Sequence, residues 1–88
     1  MRGHLINKVQ PQYPQQARVN GISGTVHLHA IIGKDGRIRS LTVMDGHPTL
    51  AYASQEAVRQ WRYAPYMRDG QPVEVETTIT VKFGLGGP

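Results

Sequence analysis

Residues 73–83, read as Val-Glu-Val-Glu-Thr-Thr-Ile-Thr-Val-Lys-Phe, alternate apolar and polar side chains and are rich in β-branched residues. That is the pattern of a half-buried strand. Side chains of a strand point to opposite faces in turn, so Val73, Val75, Thr77, Ile79, Val81 and Phe83 are expected to face a core, and Glu74, Glu76, Thr78, Thr80 and Lys82 to face water. At about 3.3 Å per residue the strand would span roughly 36 Å, well beyond a typical strand of about five or six residues. The chain before it is expected to build a small sheet covered on one face, with this strand at an edge.

The preceding segments supply the parts. Residues 1–9 show no sustained period and are expected to carry little regular structure. Residues 13–21 predict a short helix, with Pro14 at its first position, Asn20-Gly21 as its stop, and Tyr13, Ala17 and Ile22 as anchors, since so short a helix needs packing to persist. Residues 24–32 predict a strand whose Val26, Leu28, Ala30 and Ile32 share one face. Gly33-Lys34-Asp35-Gly36 supplies turn chemistry, and residues 38–44 predict a second strand. Its parity is imperfect: Leu41 and Val43 agree with each other but not with Ile38, which predicts a bulge. Residues 48–63 switch to a helical period, with Leu50, Ala53, Ala57, Val58 and Trp61 as the buried stripe and Ala64-Pro65 as the stop. Residues 66–72 read as a connecting loop and residues 84–88 as a flexible tail.

A hairpin of strands one and two, followed by a helix that returns the chain, brings strand three in with the same direction as strand two. Placing it beside strand one gives an antiparallel sheet with one wet face, in keeping with the one-sided alternation. The predicted fold is therefore α+β: a three-stranded antiparallel sheet of order 2-1-3, with two helices packed on one face and the last strand at an edge.

The 88 residues allow one domain with one modest core. With no cysteine there is no disulfide framework or zinc-thiolate site. There is no apolar run of about 18 residues and no apolar signal core at the start. A net charge of +4 raises a nucleic-acid reading. The basic residues are scattered, however, with only Lys34, Arg37 and Arg39 clustered near a turn, and the open sheet face carries no outward aromatic on which a base could stack. No nucleic-acid partner is expected. His27 and His29 on one strand and Glu74 and Glu76 on its neighbour could in principle hold zinc. Cross-strand polar pairing on a wet face is the simpler reading, so no metal and no cofactor are expected. Ser23, Ser40 and Ser54 sit in no nucleophile motif, no phosphate-cradling loop precedes a helix, and the chain is expected not to be an enzyme.

Three groups of residues, taken in order, carry a resemblance: Gln10-Pro11-Gln12-Tyr13-Pro14-Gln15-Gln16-Ala17, Gly21-Ile22-Ser23-Gly24-Thr25-Val26 and Asp35-Gly36-Arg37-Ile38. Gly46-His47-Pro48-Thr49-Leu50, the run from Ala57 through Trp61 to Pro65, and Gly70-Gln71-Pro72-Val73 extend it. Over about residues 8–84 the chain resembles the carboxy-terminal domain of TonB-family energy transducers. The resemblance implies a single domain over 1–88 belonging to a longer protein, anchored in the inner membrane and reaching into the periplasm. It implies binding of the TonB box, a short extended segment of an outer-membrane transporter, and transmission of force from a proton-driven inner-membrane complex. The family's contact strand corresponds to residues 75–83, so the expected partner-binding residues are Val75, Thr77, Thr78, Ile79, Thr80, Val81, Lys82 and Phe83, with Gln10 of the lead-in as a further contact.

The residues themselves support an edge that binds. Edges that bind nothing are commonly shortened or broken by proline or a bulge, and residues 73–83 contain neither proline nor glycine. The same edge could instead complete a core or pair with a second copy, so a homodimer is a further expectation.

Overall fold

The computed structural model describes residues 5–84. The first four residues of the lead-in and residues 85–88 of the expected tail lie outside them. In chain order the elements are β1 (Leu5–Asn7), α1 (Gln15–Val19), β2 (Gly24–Ile32), β3 (Ile38–Asp45), α2 (Pro48–Val58), β4 (Arg62–Tyr63), β5 (Tyr66–Arg68), β6 (Gln71–Val73) and β7 (Val75–Phe83). The central sheet has the order β3-β2-β7 and is antiparallel throughout. This is the predicted 2-1-3 arrangement, with β2 as its middle strand.

Alternation in β2 and β7 decides where the core lies. Val26, Leu28, Ala30 and Ile32 of β2 and Ile79, Val81 and Phe83 of β7 are buried on one face. Helix α2 covers that face with Leu50, Ala51, Ser54, Ala57 and Val58. Its entry is fixed by His47, whose Nδ1 accepts the Thr49 N–H at 3.2 Å, and by Pro48 in the first turn. Ser54 is buried, and its hydroxyl donates to the Leu50 carbonyl at 2.8 Å, so no buried polar atom is left unpaired there. The five-residue α1 is held from outside itself. Tyr13 meets Phe83 edge to face at 5.5 Å, its hydroxyl donates to the Ile22 carbonyl, and the Arg18 guanidinium lies 5.2 Å from the Tyr13 ring centre.

Several expectations change in physical detail. Pro14 caps α1 from an extended conformation and does not begin it. The bulge in β3 is present twice: the register omits Arg39 between the Ile31 and Ile32 pairs, and Met44 between the His27 and Leu28 pairs. Helix α2 ends at Val58 and does not run on to Tyr63. A tightening turn, Trp61 N–H to the Val58 carbonyl at 2.9 Å, takes the chain off the axis. Trp61 then donates its indole N–H to the Val9 carbonyl at 2.9 Å, which a continuing helix would not permit. It is buried, as expected, but beyond the helix and not on it. The buried stripe is also shifted: Ala53 is half-buried, and Ala51 and Ser54 face the core.

Two segments expected to lack regular structure form short strand pairs. Leu5–Asn7 forms β1 and pairs with β4, Leu5 opposite Tyr63 and Asn7 opposite Arg62. Residues 66–72, expected as a plain loop, fold as the hairpin β5/β6. Its turn residues Asp69 and Gly70 have φ of 53° and 78°, the paired positive values that two-residue hairpin turns require. The long strand is therefore divided at Glu74: Val73 pairs with Tyr66 of β5, and Val75 pairs with Ile32 of β2.

Candidate peptide-binding edge

The candidate site is the outer side of β7, which among the described residues is the end strand of the central sheet. Which residues present their peptide groups there follows from the far end of β2. Gly33 donates its N–H to the Arg37 carbonyl at 2.8 Å, and Gly36 donates to the Gly33 carbonyl at 2.9 Å, closing the β2/β3 turn. Gly33 thus directs its peptide groups at β3. Direction alternates along a strand, so odd-numbered residues of β2 address β3 and even-numbered ones address β7. The β2/β7 register runs without a slip, Gly24 opposite Phe83 to Ile32 opposite Val75. Odd-numbered residues of β7 consequently bond to β2. Glu76, Thr78, Thr80 and Lys82 turn their N–H and C=O groups to the open edge.

The expected site residues divide accordingly. Ile79, Val81 and Phe83 are buried and Val75 and Thr77 half-buried, with their side chains on the helix-covered face. They hold the strand in place. Thr78, Thr80 and Lys82 are exposed in side chain and carry the outward peptide groups. Glu76, expected only to face water, belongs with them. Gln10 is exposed and lines a groove between the lead-in and α2, together with Tyr13, Tyr52 and Gln60. That segment is tied to β7 by the contact of Tyr13 with Phe83.

The wet face of the sheet carries cross-strand polar pairs. His27 Nδ1 lies 2.7 Å from Asp45 Oδ1, His29 Nε2 lies 3.1 Å from Glu76 Oε1, and Arg39 lies 2.8 Å from Glu74. The two histidines thus have different carboxylate partners, and Glu74 is paired with Arg39. Among the described residues no three His, Asp or Glu side chains converge as metal ligands. These pairs are exposed, each worth at most about 1 kcal/mol, and they order the face more than they stabilise it.

Tyr63, Tyr66 and Met67 stand beside the start of β7 and form a cleft with it. Asp69-Gly70 between Met67 and Val73 is a hairpin signature that would have brought β5 and β6 together. Tyr63 is half-buried there, and desolvation pushes its phenol above the ordinary tyrosine value.

Residues 9–85 match the family model for the Gram-negative bacterial TonB protein C-terminal region. The chain is 35% identical over 82 residues to Protein TonB of Vibrio cholerae, covering 91% of this chain and 34% of that protein. It is 31% identical over 70 residues to Protein TonB of Pseudomonas aeruginosa, covering 77% of this chain and 20% of that protein. It therefore spans about a third or less of either protein. The solution NMR structure of the Pseudomonas aeruginosa TonB carboxy-terminal domain superposes with a TM-score of 0.77 at 26% identity, covering 98% of this chain and 89% of that one. The family match over residues 9–85 and the likeness of the fold lead to the same place, and the chain belongs to the TonB carboxy-terminal domain family.

Proposed function

We propose that this domain is the periplasmic, receptor-engaging end of a TonB-like energy transducer, and that it binds the TonB box of an outer-membrane transporter by adding it as a strand to β7. The observation that carries this reading is the run of outward peptide groups at Glu76, Thr78, Thr80 and Lys82. Main-chain pairing of this kind recognises an extended partner with modest demand on its side chains. It also suits the transmission of force: a partner strand pulled along its own axis loads all its main-chain hydrogen bonds together. The pull passes to β2 through the nine paired residues of β7 and into the core. The inner-membrane anchor and the proton-driven complex would be reached through other parts of a longer protein; no described helix is long and apolar enough to cross a membrane. No chemical step is assigned to the domain.

The test is titration of the domain with a TonB-box peptide, followed by amide NMR. Shifts should concentrate on Glu76, Thr78, Thr80 and Lys82. A Thr78→Pro, Thr80→Pro double variant, which removes two outward N–H groups, should remain folded and lose binding; full affinity in that variant would sink the mechanism. Gln10→Ala should weaken binding by about 0.5–1.5 kcal/mol if Gln10 donates one hydrogen bond to the transporter. The same open edge favours a second reading, pairing between two copies, which light scattering at millimolar concentration would reveal as dimers and which the double variant should abolish.

A further inference from the structure

A cleft of about 620 Å³ opens where β7 begins, within the roughly 300–1,000 Å³ usual for ligand sites. Val75, Glu76 and Thr77 of β7 line it, with Val73 and Glu74 just before the strand, and Ile32 at the end of β2 also reaches it. A cavity on one face of a strand touches every second residue. One touched by Val75, Glu76 and Thr77, three successive residues of β7, reaches both faces of the strand and so passes round its edge. The hairpin β5/β6 forms its other wall, so the open edge of β7 is walled at its first residues. Thr78, Thr80 and Lys82 do not line it.

We propose that this cleft is a side-chain pocket for the strand that adds to β7, and that it selects an extended peptide carrying one bulky apolar side chain near one of its ends. The inference rests on the strand-addition reading above and adds to it the place where sequence is read. The chemistry of the occupant follows from the lining. Tyr63, Tyr66, Val73 and Val75 are each only half-buried, and Met67 is 54% exposed although apolar. An apolar group entering between them removes water from all five, which is favourable in proportion to the area covered. Charge is not the attraction: of the charged residues that line the cleft, Glu74 and Glu76 already face Arg39 and His29 on the wet side of the sheet, and Arg68 is exposed to solvent. The Tyr63 wall is also set in advance, because the Tyr63 N–H donates to the Gly36 carbonyl at 2.9 Å and fixes β4 against the β2/β3 turn. Elsewhere along β7 the partner meets main-chain groups and short polar side chains, which accept many sequences. Register and choice of partner are therefore set at the cleft.

The 88-residue chain can be titrated with a short capped peptide of alternating Thr and Val, and with versions carrying one Trp at each position in turn, reading amide shifts of Glu76, Met67, Thr78 and Thr80. At one position near one end, Trp should tighten binding about tenfold, equivalent to about 1.4 kcal/mol. In Met67→Ser, which strips the exposed wall, and in Met67→Trp, which fills the cleft, that gain should fall below about twofold, while the parent Thr-Val peptide binds all three proteins alike. An equal gain at every position, or a gain unchanged in both Met67 variants, overturns the pocket and leaves strand addition standing. If the parent peptide moves neither Thr78 nor Thr80, strand addition falls, and the pocket falls with it.

Discussion

Gly36 and Tyr63 are in backbone contact. The Tyr63 N–H donates to the Gly36 carbonyl at 2.9 Å, and a Cβ built on Gly36 would overlap the Tyr63 carbonyl oxygen. The turn that joins the two hairpin strands is thereby locked to the segment that follows α2, and with it to one wall of the cleft beside β7.

Two glycines of nearly equal φ separate the parts of that contact. Gly36 has φ of 84° and is pressed against Tyr63; Gly70 has φ of 78° and has open space where a Cβ would stand. Gly70→Ala should cost only the left-handed conformational penalty, roughly 1–2 kcal/mol. Gly36→Ala adds a backbone overlap that no rotamer relieves and should cost more than about 3 kcal/mol. Urea midpoints of the two variants check the difference; equal shifts would mean that the turn and β4 are not in contact in solution.

The sheet was legible because its information is periodic. Each of β2 and β7 buries every second residue, and that alternation fixes element type, core face and antiparallel order. The parity conflict between Ile38 and Leu41 likewise announced a bulge. What escaped was set by single long-range contacts that leave no period. The end of α2 is decided by Trp61 reaching Val9, 52 residues earlier. Strand β1 forms only because Arg62 and Tyr63 are left extended by that departure. The break at Glu74 follows from the β5/β6 turn drawing Val73 toward Tyr66 and away from β2. At the site, composition marked the strand but could not say which parity faced outward, since both parities satisfy the same alternation. One turn hydrogen bond, from Gly33 to Arg37, carries that information.

Trp61 should carry a large share of the stability. It is 6% exposed, bonds to the Val9 carbonyl, and has the Lys8 ammonium 5.6 Å from its ring centre. Trp61→Ala should cost roughly 3–5 kcal/mol, as other large-to-small core changes do. Trp61→Phe keeps most of the apolar volume and removes the N–H, so about 1 kcal/mol of its effect should come from the lost hydrogen bond, and exchange protection in β1 should fall with it. A denaturant midpoint unmoved by Trp61→Ala would place the side chain outside the core.

Alkaline stability should report on Tyr63. Burial raises its phenol above 10.0 in the folded protein by disfavouring the phenolate. Between the unfolded and folded values the native state holds more protons than the unfolded state, so stability declines as pH rises through that window and is fully present below it. The decline should be shallower in Tyr63→Phe, which has no proton to lose. Thermal melts of both proteins from neutral pH to above the tyrosine range measure the difference, and parallel curves would mean that Tyr63 is solvated.

Proline substitution along β7 tests the assignment of its two sides without any partner. Proline lacks an N–H, and within a sheet it is tolerated on an edge strand only where that N–H would face away from the neighbour. Thr78 and Thr80 point their N–H groups outward and their side chains to water, so Thr78→Pro and Thr80→Pro should cost about 1–2 kcal/mol each, mainly from constrained backbone angles. Ile79 and Val81 stand opposite Leu28 and Val26, with their peptide groups directed at β2 and their side chains buried. Ile79→Pro and Val81→Pro therefore each remove a ladder bond, leave a buried carbonyl without its donor, and take away core volume. These losses sum to more than about 4 kcal/mol, enough to unfold a domain of this size. Circular dichroism and urea titration of the four single variants read the pattern directly. Two folded even-numbered variants beside two unfolded odd-numbered ones support the outward row at Glu76, Thr78, Thr80 and Lys82. If Thr78→Pro and Thr80→Pro unfold as readily as the other two, their peptide groups bond to β2, and β7 offers its partner the opposite row.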